Sequence, residues 1–122
     1  NPNSVTKRYL SDFEKTFLAS YEAKRALVKR YSIGGVEGWE NSTVWAGLLI
    51  AIGNEYAPGN PIPLRDKRRN VKALCSREPF KSAIASGKPR GAGRRKQIVI
   101  DLVSSKNYTV LTLLYAIKNR GR

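Results

Sequence analysis

The 122 residues include no histidine, no methionine and a single cysteine, Cys75. Without histidine there is no imidazole general base, no Ser/His triad and no His-ligated zinc. One thiol cannot close an internal disulfide or supply a Cys/His metal set, so no metal and no cofactor is expected. Beside Leu74, Cys75 reads as a small buried hydrophobe, chemically inert, with an intracellular setting (cytoplasm or nucleoid, nucleus, or virion) as the expectation. Long apolar runs are missing too. The longest, VWAGLLIAIG from Val44 to Gly53, ends well short of the roughly 20 residues that span a bilayer. There is no secretory pattern of basic start, apolar middle and small-residue cleavage site. A chain that opens on Asn1 and lacks methionine reads as a processed or excised piece of something longer.

Acidic side chains are scarce: 9 Asp+Glu face 23 Lys+Arg, a formal net charge of +14. Residues 1–64 carry 7 basic and 6 acidic side chains, net +1; residues 65–96 carry 12 and 2, net +10; residues 97–122 carry 4 and 1, net +3. Crowding like charges into 32 residues raises self-repulsion, which a polyanion relieves. An ordinary solvated face intersperses acids; here they are nearly absent.

The hydrophobic content of 41% suits one domain with one core. The whole chain, 1–122, is read as a single domain, with 1–57 a helical scaffold and 65–103 a basic helix–turn–helix followed by a loop and a strand. Residues 5–31 have the spacing of a long amphipathic helix. Tyr9, Leu10, Phe13, Phe17, Tyr21, Leu27, Val28 and Tyr31 share one face, which Lys24 interrupts and must escape by snorkelling. Ser4 is one candidate cap, and SDFE at Ser11–Glu14 has capping-box spacing for a later start. SIGGVEGWEN reads as a loop. Asn41 or Ser42 then caps a helix over Thr43–Tyr56 that is apolar nearly all round, with Gly47 and Gly53 tolerated for close packing. Pro58 and Gly59 end it.

NPIPL, Asn60–Leu64, is a short edge strand or an extended connector. Asp66 sits at an N-cap position ahead of KRRNVKALC, with Val71 and Leu74 inward. Ser76 caps a second short helix through Ser86, with Pro79 in its first turn, Phe80 and Ile84 inward and Gly87 closing it. Two short helices and a tight turn are a helix–turn–helix candidate. A Gly/Arg-rich loop follows, then QIVIDLV, Gln97–Val103, whose β-branched run predicts a strand. The tail 107–120 has helical spacing at Val110, Leu113, Leu114 and Ile117, with a second strand as the alternative. The expected fold is mainly α with a small β element, α+β. Element order and charge are compatible with a winged helix–turn–helix, and no family signature is carried by the letters.

In such a layout a recognition helix enters the major groove and a basic hairpin touches the backbone beside it. The candidate phosphate-binding residues are Arg68, Arg69, Lys72, Arg77, Lys81, Lys88, Arg90, Arg94, Arg95 and Lys96. Glycines at 87, 91 and 93 and Pro89 keep the loop extended, and guanidinium forks grip phosphate oxygens bidentately. Arg77, Lys81 and Ser82 are positioned to read bases if their helix is the recognition helix. Single-strand binders favour exposed aromatic platforms. Phe80 is expected inside and Trp39 is the main exposed aromatic, so duplex DNA is favoured over RNA. Anionic lipid also attracts basic runs, but no bulky apolar residue interleaves Lys88–Lys96, and no membrane partner is expected.

The expected function is therefore non-enzymatic nucleic-acid binding. One alternative is a viral or chromosomal protein that packages nucleic acid or coats RNA, as a homo-oligomer associating through the Tyr9–Tyr31 face. The other is a histidine-free nuclease. Its candidates are Asp12, Glu22 and Lys24 on the first helix, or Asp101 with Lys106, and neither set supplies a second acid on a strand. Glu37, Glu40 and Glu55 form no metal grouping. Gly34-Gly35 and Gly91-x-Gly93 lack the strand–loop–helix context of a nucleotide phosphate loop.

Overall fold

The computed structural model describes residues 12–30, 37–89 and 91–120, with backbone only for 37–40 and 120. Among these residues there are six α-helices and no strand: α1 Phe13–Arg30, α2 Glu37–Glu55, α3 Leu64–Cys75, α4 Phe80–Ser86, α5 Arg94–Ser104 and α6 Tyr108–Arg120. The fold is all-helical, which overturns the α+β expectation and, with it, the wing.

The segment that changes class is QIVIDLV, which lies inside α5. As a strand it would need a partner for its backbone N–H and C=O groups, since an isolated strand leaves them unpaired. Neither candidate partner forms one. Residues 60–63 make a proline-interrupted connector, and 108–120 is helix. A helix satisfies its backbone internally and still buries Val99, Ile100 and Val103, which fall on one side at i, i+1, i+4. The β-branched residues lose only a few tenths of a kcal/mol each in helix propensity, far less than an unpaired strand.

α2 is the central element: it meets α1, α3, α4 and α5, while α6 packs on α3 and α5. Its side chains Val44, Trp45, Leu48 and Ile52 are buried, as is Tyr56 just past its end, as all-round apolar character requires. The helix starts at Glu37, six residues before the expected Thr43, so half of the expected loop is helical. Asn41 does not cap α2; its amide donates to the Gly87 carbonyl (3.4 Å). Gly47 allows a close approach, because a Cβ there would collide with the Phe17 ring of α1, whereas Gly53 faces only the Tyr115 hydroxyl at 3.9 Å.

On α1 the rings of Phe13, Phe17 and Tyr21 stack in series, and Phe17 also stacks on Phe80 (5.9 Å between centroids). Tyr21 is buried and Lys24 exposed; Leu27 is 53% exposed. The described part of α1 begins at Phe13, where the Asp12 carbonyl accepts the Thr16 N–H (3.0 Å). Ser4, Tyr9, Leu10, Ser11 and Tyr31 lie outside the described residues.

α3 starts one turn earlier than expected. Pro63 is the N-cap and Asp66 sits within the first turn. Val71 and Leu74 are buried as expected, but so is Lys67, whose ammonium donates to the Ala57 carbonyl (3.3 Å). Ser76 closes α3 instead of opening α4, and Pro79 is the α4 N-cap. Glu78 supplies the capping carboxylate, accepting the Ser82 N–H (3.0 Å). Gly87 ends α4 at φ 127°, a conformation that favours glycine. Two short helices joined by residues 76–79 are thus present.

Candidate functional site

The start of the basic segment is held by a set of polar contacts, buried at Trp45 and more exposed at Asp101. The Trp45 indole N–H is shared between the Ala83 and Gly87 carbonyls, 3.2 Å from each. This satisfies acceptors that the end of α4 leaves open and ties the start of the Gly/Arg-rich loop to α2. The Gln97 amide donates to the Pro89 carbonyl (3.2 Å) and to Asp101 (3.1 Å). Lys88 reaches the same carboxylate at 2.9 Å. Lys88 and then Gln97 hold the Asp101 carboxyl below the usual carboxylate range. The loop therefore lies along α2 and α5, pinned at Gly87, Lys88 and Pro89.

Of the nine candidate cations among the described residues, eight divide among three places and Lys88 lies on the loop. On α3, Arg68 donates to the Thr109 hydroxyl at the start of α6 (3.2 Å), Arg69 stands 3.8 Å from Asp66, and Lys72 is exposed. Next to α4, Arg77 makes a bidentate pair with Glu14 of α1 (2.7 and 3.0 Å), and Lys81 is exposed. Arg77 is thus engaged by an acid from the other end of the chain, which removes it from the free base-reading set expected from sequence. Lys88 is similarly engaged by Asp101. Arg90 lies outside the described residues, and the Trp39 side chain is likewise outside them.

The third place is α5. Arg94, Arg95 and Lys96 belong to its first turn and not to the loop, and all three are exposed. No acid lies in that turn and the N-cap, Gly93, offers no side chain. Arg95 and Lys96 border a groove of about 480 Å³ between α2, α5 and the far end of α6, where Lys118 joins them. Lys118 also sits 5.5 Å over the Tyr115 ring. Sequence reasoning missed Lys118. Its only local clue is the spacing i, i+3 from Tyr115, and the fold of α6 back along α5 does the rest. Thr109 and Lys118 are nine residues apart on one helix, about 14 Å along its axis. The α3 cluster and the α5 cluster thus sit toward opposite ends of α6 and do not merge into one point.

Several of the described acids are engaged by neighbouring side chains. Asp101 is bonded to Lys88 and Gln97, and Glu14 to Arg77. Glu55 accepts from the Asn60 and Asn70 amides at 3.0 Å each, bracing the connector against α3. Among the described residues no three Cys, Asp or Glu side chains are grouped to hold a metal ion. Cys75 is buried, and that burial pushes its thiol up to about 11, far from a reactive thiolate. No described helix is long and apolar enough to cross a membrane. The chain matches no protein-family model, no curated protein and no solved structure.

Proposed function

We propose that this protein is a non-enzymatic nucleic-acid-binding domain that grips phosphates chiefly through the first turn of α5, with the exposed cations of α3 as a secondary contact. The observation that carries this reading is Arg94-Arg95-Lys96 at the positive end of a helix dipole, with no acid or capping side chain in the turn. Cations there oppose the dipole, each by about 0.3–1 kcal/mol. Three in succession weaken the helix, and an external anion offsets that. Phosphate oxygens suit both the guanidinium forks and the free N–H groups of the turn. The exposed pairs Lys88–Asp101 and Arg77–Glu14 are weak in water, so a phosphate can compete for either cation.

Random duplex DNA, single-stranded DNA and RNA should be titrated at two salt concentrations, with and without Mg²⁺. Binding should weaken steeply with salt, by a log–log slope of about −0.9 per duplex phosphate contacted, or about −0.7 on single strands. Replacing Arg94, Arg95 and Lys96 by Ala should weaken binding to every sequence and lower the slope by about 2–3. Affinity that survives this triple replacement would remove α5 from the interface. Degradation of the probe when Mg²⁺ is added would replace binding by catalysis.

A further inference from the structure

We infer that the groove between α2, α5 and α6 receives one unpaired base of a single-stranded polynucleotide, the adjoining phosphate resting on Arg95, Lys96 and Lys118. This rests on the nucleic-acid reading above and names its substrate class. The groove has an apolar floor, and the charged groups among its described lining residues are all cations, Arg95, Lys96 and Lys118. Leu49, Val99, Ile100 and Tyr115, buried or half-buried, make the floor, and no acid is among the described lining residues. Ile50 is 58% exposed and partly fills a mouth open to solvent. A ligand matching both parts has a flat apolar body joined to an anionic group, which is the chemistry of a nucleotide. In a duplex the base faces are stacked and inaccessible, so only an unpaired base can use the floor.

Size separates this occupant from a protein partner. A helix is 10–12 Å across and rises 5.4 Å per turn, so about 480 Å³ holds roughly one turn. The anchors of a helix docked in a groove extend over two turns. A volume in the 300–1,000 Å³ range suits a compact ligand. A second copy of the chain is disfavoured by its net charge of +14 and by the cations around the mouth. A polymer is favoured over a free mononucleotide because Arg94 is exposed nearby on the same turn, ready for a second phosphate.

The test compares a thymidine 12-mer, an abasic 12-mer of equal charge, a 12-base-pair duplex, thymidine monophosphate, and an acidic Glu/Leu peptide by fluorescence anisotropy or competition. Parent, Ile50→Ala and Lys118→Ala proteins are used, with folding checked by circular dichroism. The thymidine 12-mer should bind the parent about five- to tenfold more tightly than the abasic one, the gain expected if the base buries roughly 40–55 Å² of apolar surface at about 25 cal/mol per Å². Ile50→Ala should narrow that gap, and Lys118→Ala should weaken both oligomers. Equal affinity for the two oligomers in the parent protein would overturn the inference while leaving phosphate binding standing. A tighter duplex, a mononucleotide as tight as the 12-mer, or peptide binding lost in Ile50→Ala would each overturn it as well. If none of the nucleic acids binds, the proposed function falls with it.

Discussion

Removing the cations from the first turn of α5 should make the free protein more stable. Arg94, Arg95 and Lys96 occupy the first three helical positions, the N-cap is a glycine, and the turn contains no acid. At about 0.3–1 kcal/mol for each cation against the dipole, the triple replacement by Ala returns about 1–3 kcal/mol. Helix propensity adds a little, because Ala is the best helix former. Against this, Arg95 and Lys96 border the groove and their aliphatic stems cover some apolar surface, which Ala forfeits. The net gain should be about 1–2 kcal/mol, or about 4–8 °C in melting temperature for a chain of this size. Thermal melts followed by circular dichroism at about 0.02 M and about 1 M salt separate the contributions, because at 1 M the Debye length is only about 3 Å and repulsion is screened. The low-salt gain should shrink greatly at high salt. A variant that melts at or below the parent temperature at low salt would refute the idea that these cations are held against the stability of the fold.

Trp45→Phe keeps most of the buried ring but removes the donor to Ala83 and Gly87. It should cost about 1–3 kcal/mol in a denaturant titration, whereas Trp45→Ala should cost about 3–5 kcal/mol; a Phe variant as stable as the parent would mean that the indole bond is dispensable. Asp101 should titrate, by carboxyl NMR, below the ordinary value of about 3.9, and closer to it in Lys88→Met. The sign follows: a depressed folded-state pKa stabilises the fold above the unfolded value, and that contribution fades as pH falls through the folded one. The Asp101 contribution should therefore be constant through neutral pH and be lost only in the acid limb of a stability profile. Cys75 should resist alkylation at pH 8 in the folded protein and react readily in urea; rapid labelling of the native state would contradict its burial.

Much of this architecture was legible because the relevant forces are local. The Phe13–Phe17–Tyr21 part of the α1 stripe, the all-apolar α2, the paired short helices α3 and α4 and the helical spacing of 108–120 each follow from residue periodicity, and Gly87 from its conformational freedom, whereas Leu27, expected on the same stripe, is exposed. Charge asymmetry is likewise a property of composition, so the cation-rich segment needed no coordinates to find. What periodicity could not decide was α5. The run Ile98–Val103 is rich in β-branched residues and apolar except at Asp101, equally suited to a half-buried strand or a helix. The choice depended on whether another strand existed to take its hydrogen bonds, which is a non-local question.

The division of the cations was also beyond sequence. Arg77 is engaged by Glu14, 63 positions away, Lys67 points into the core, and Lys118 joins Arg95 and Lys96 across a groove. The sequence alone determined a helix-rich chain with a strongly cationic middle, because periodicity and charge are carried by neighbouring residues. Tertiary structure alone decided which of those charges reach solvent, which are neutralised by distant acids, and which border an apolar groove. Coulombic pairing and burial depend on distances in space that separation along the chain does not encode.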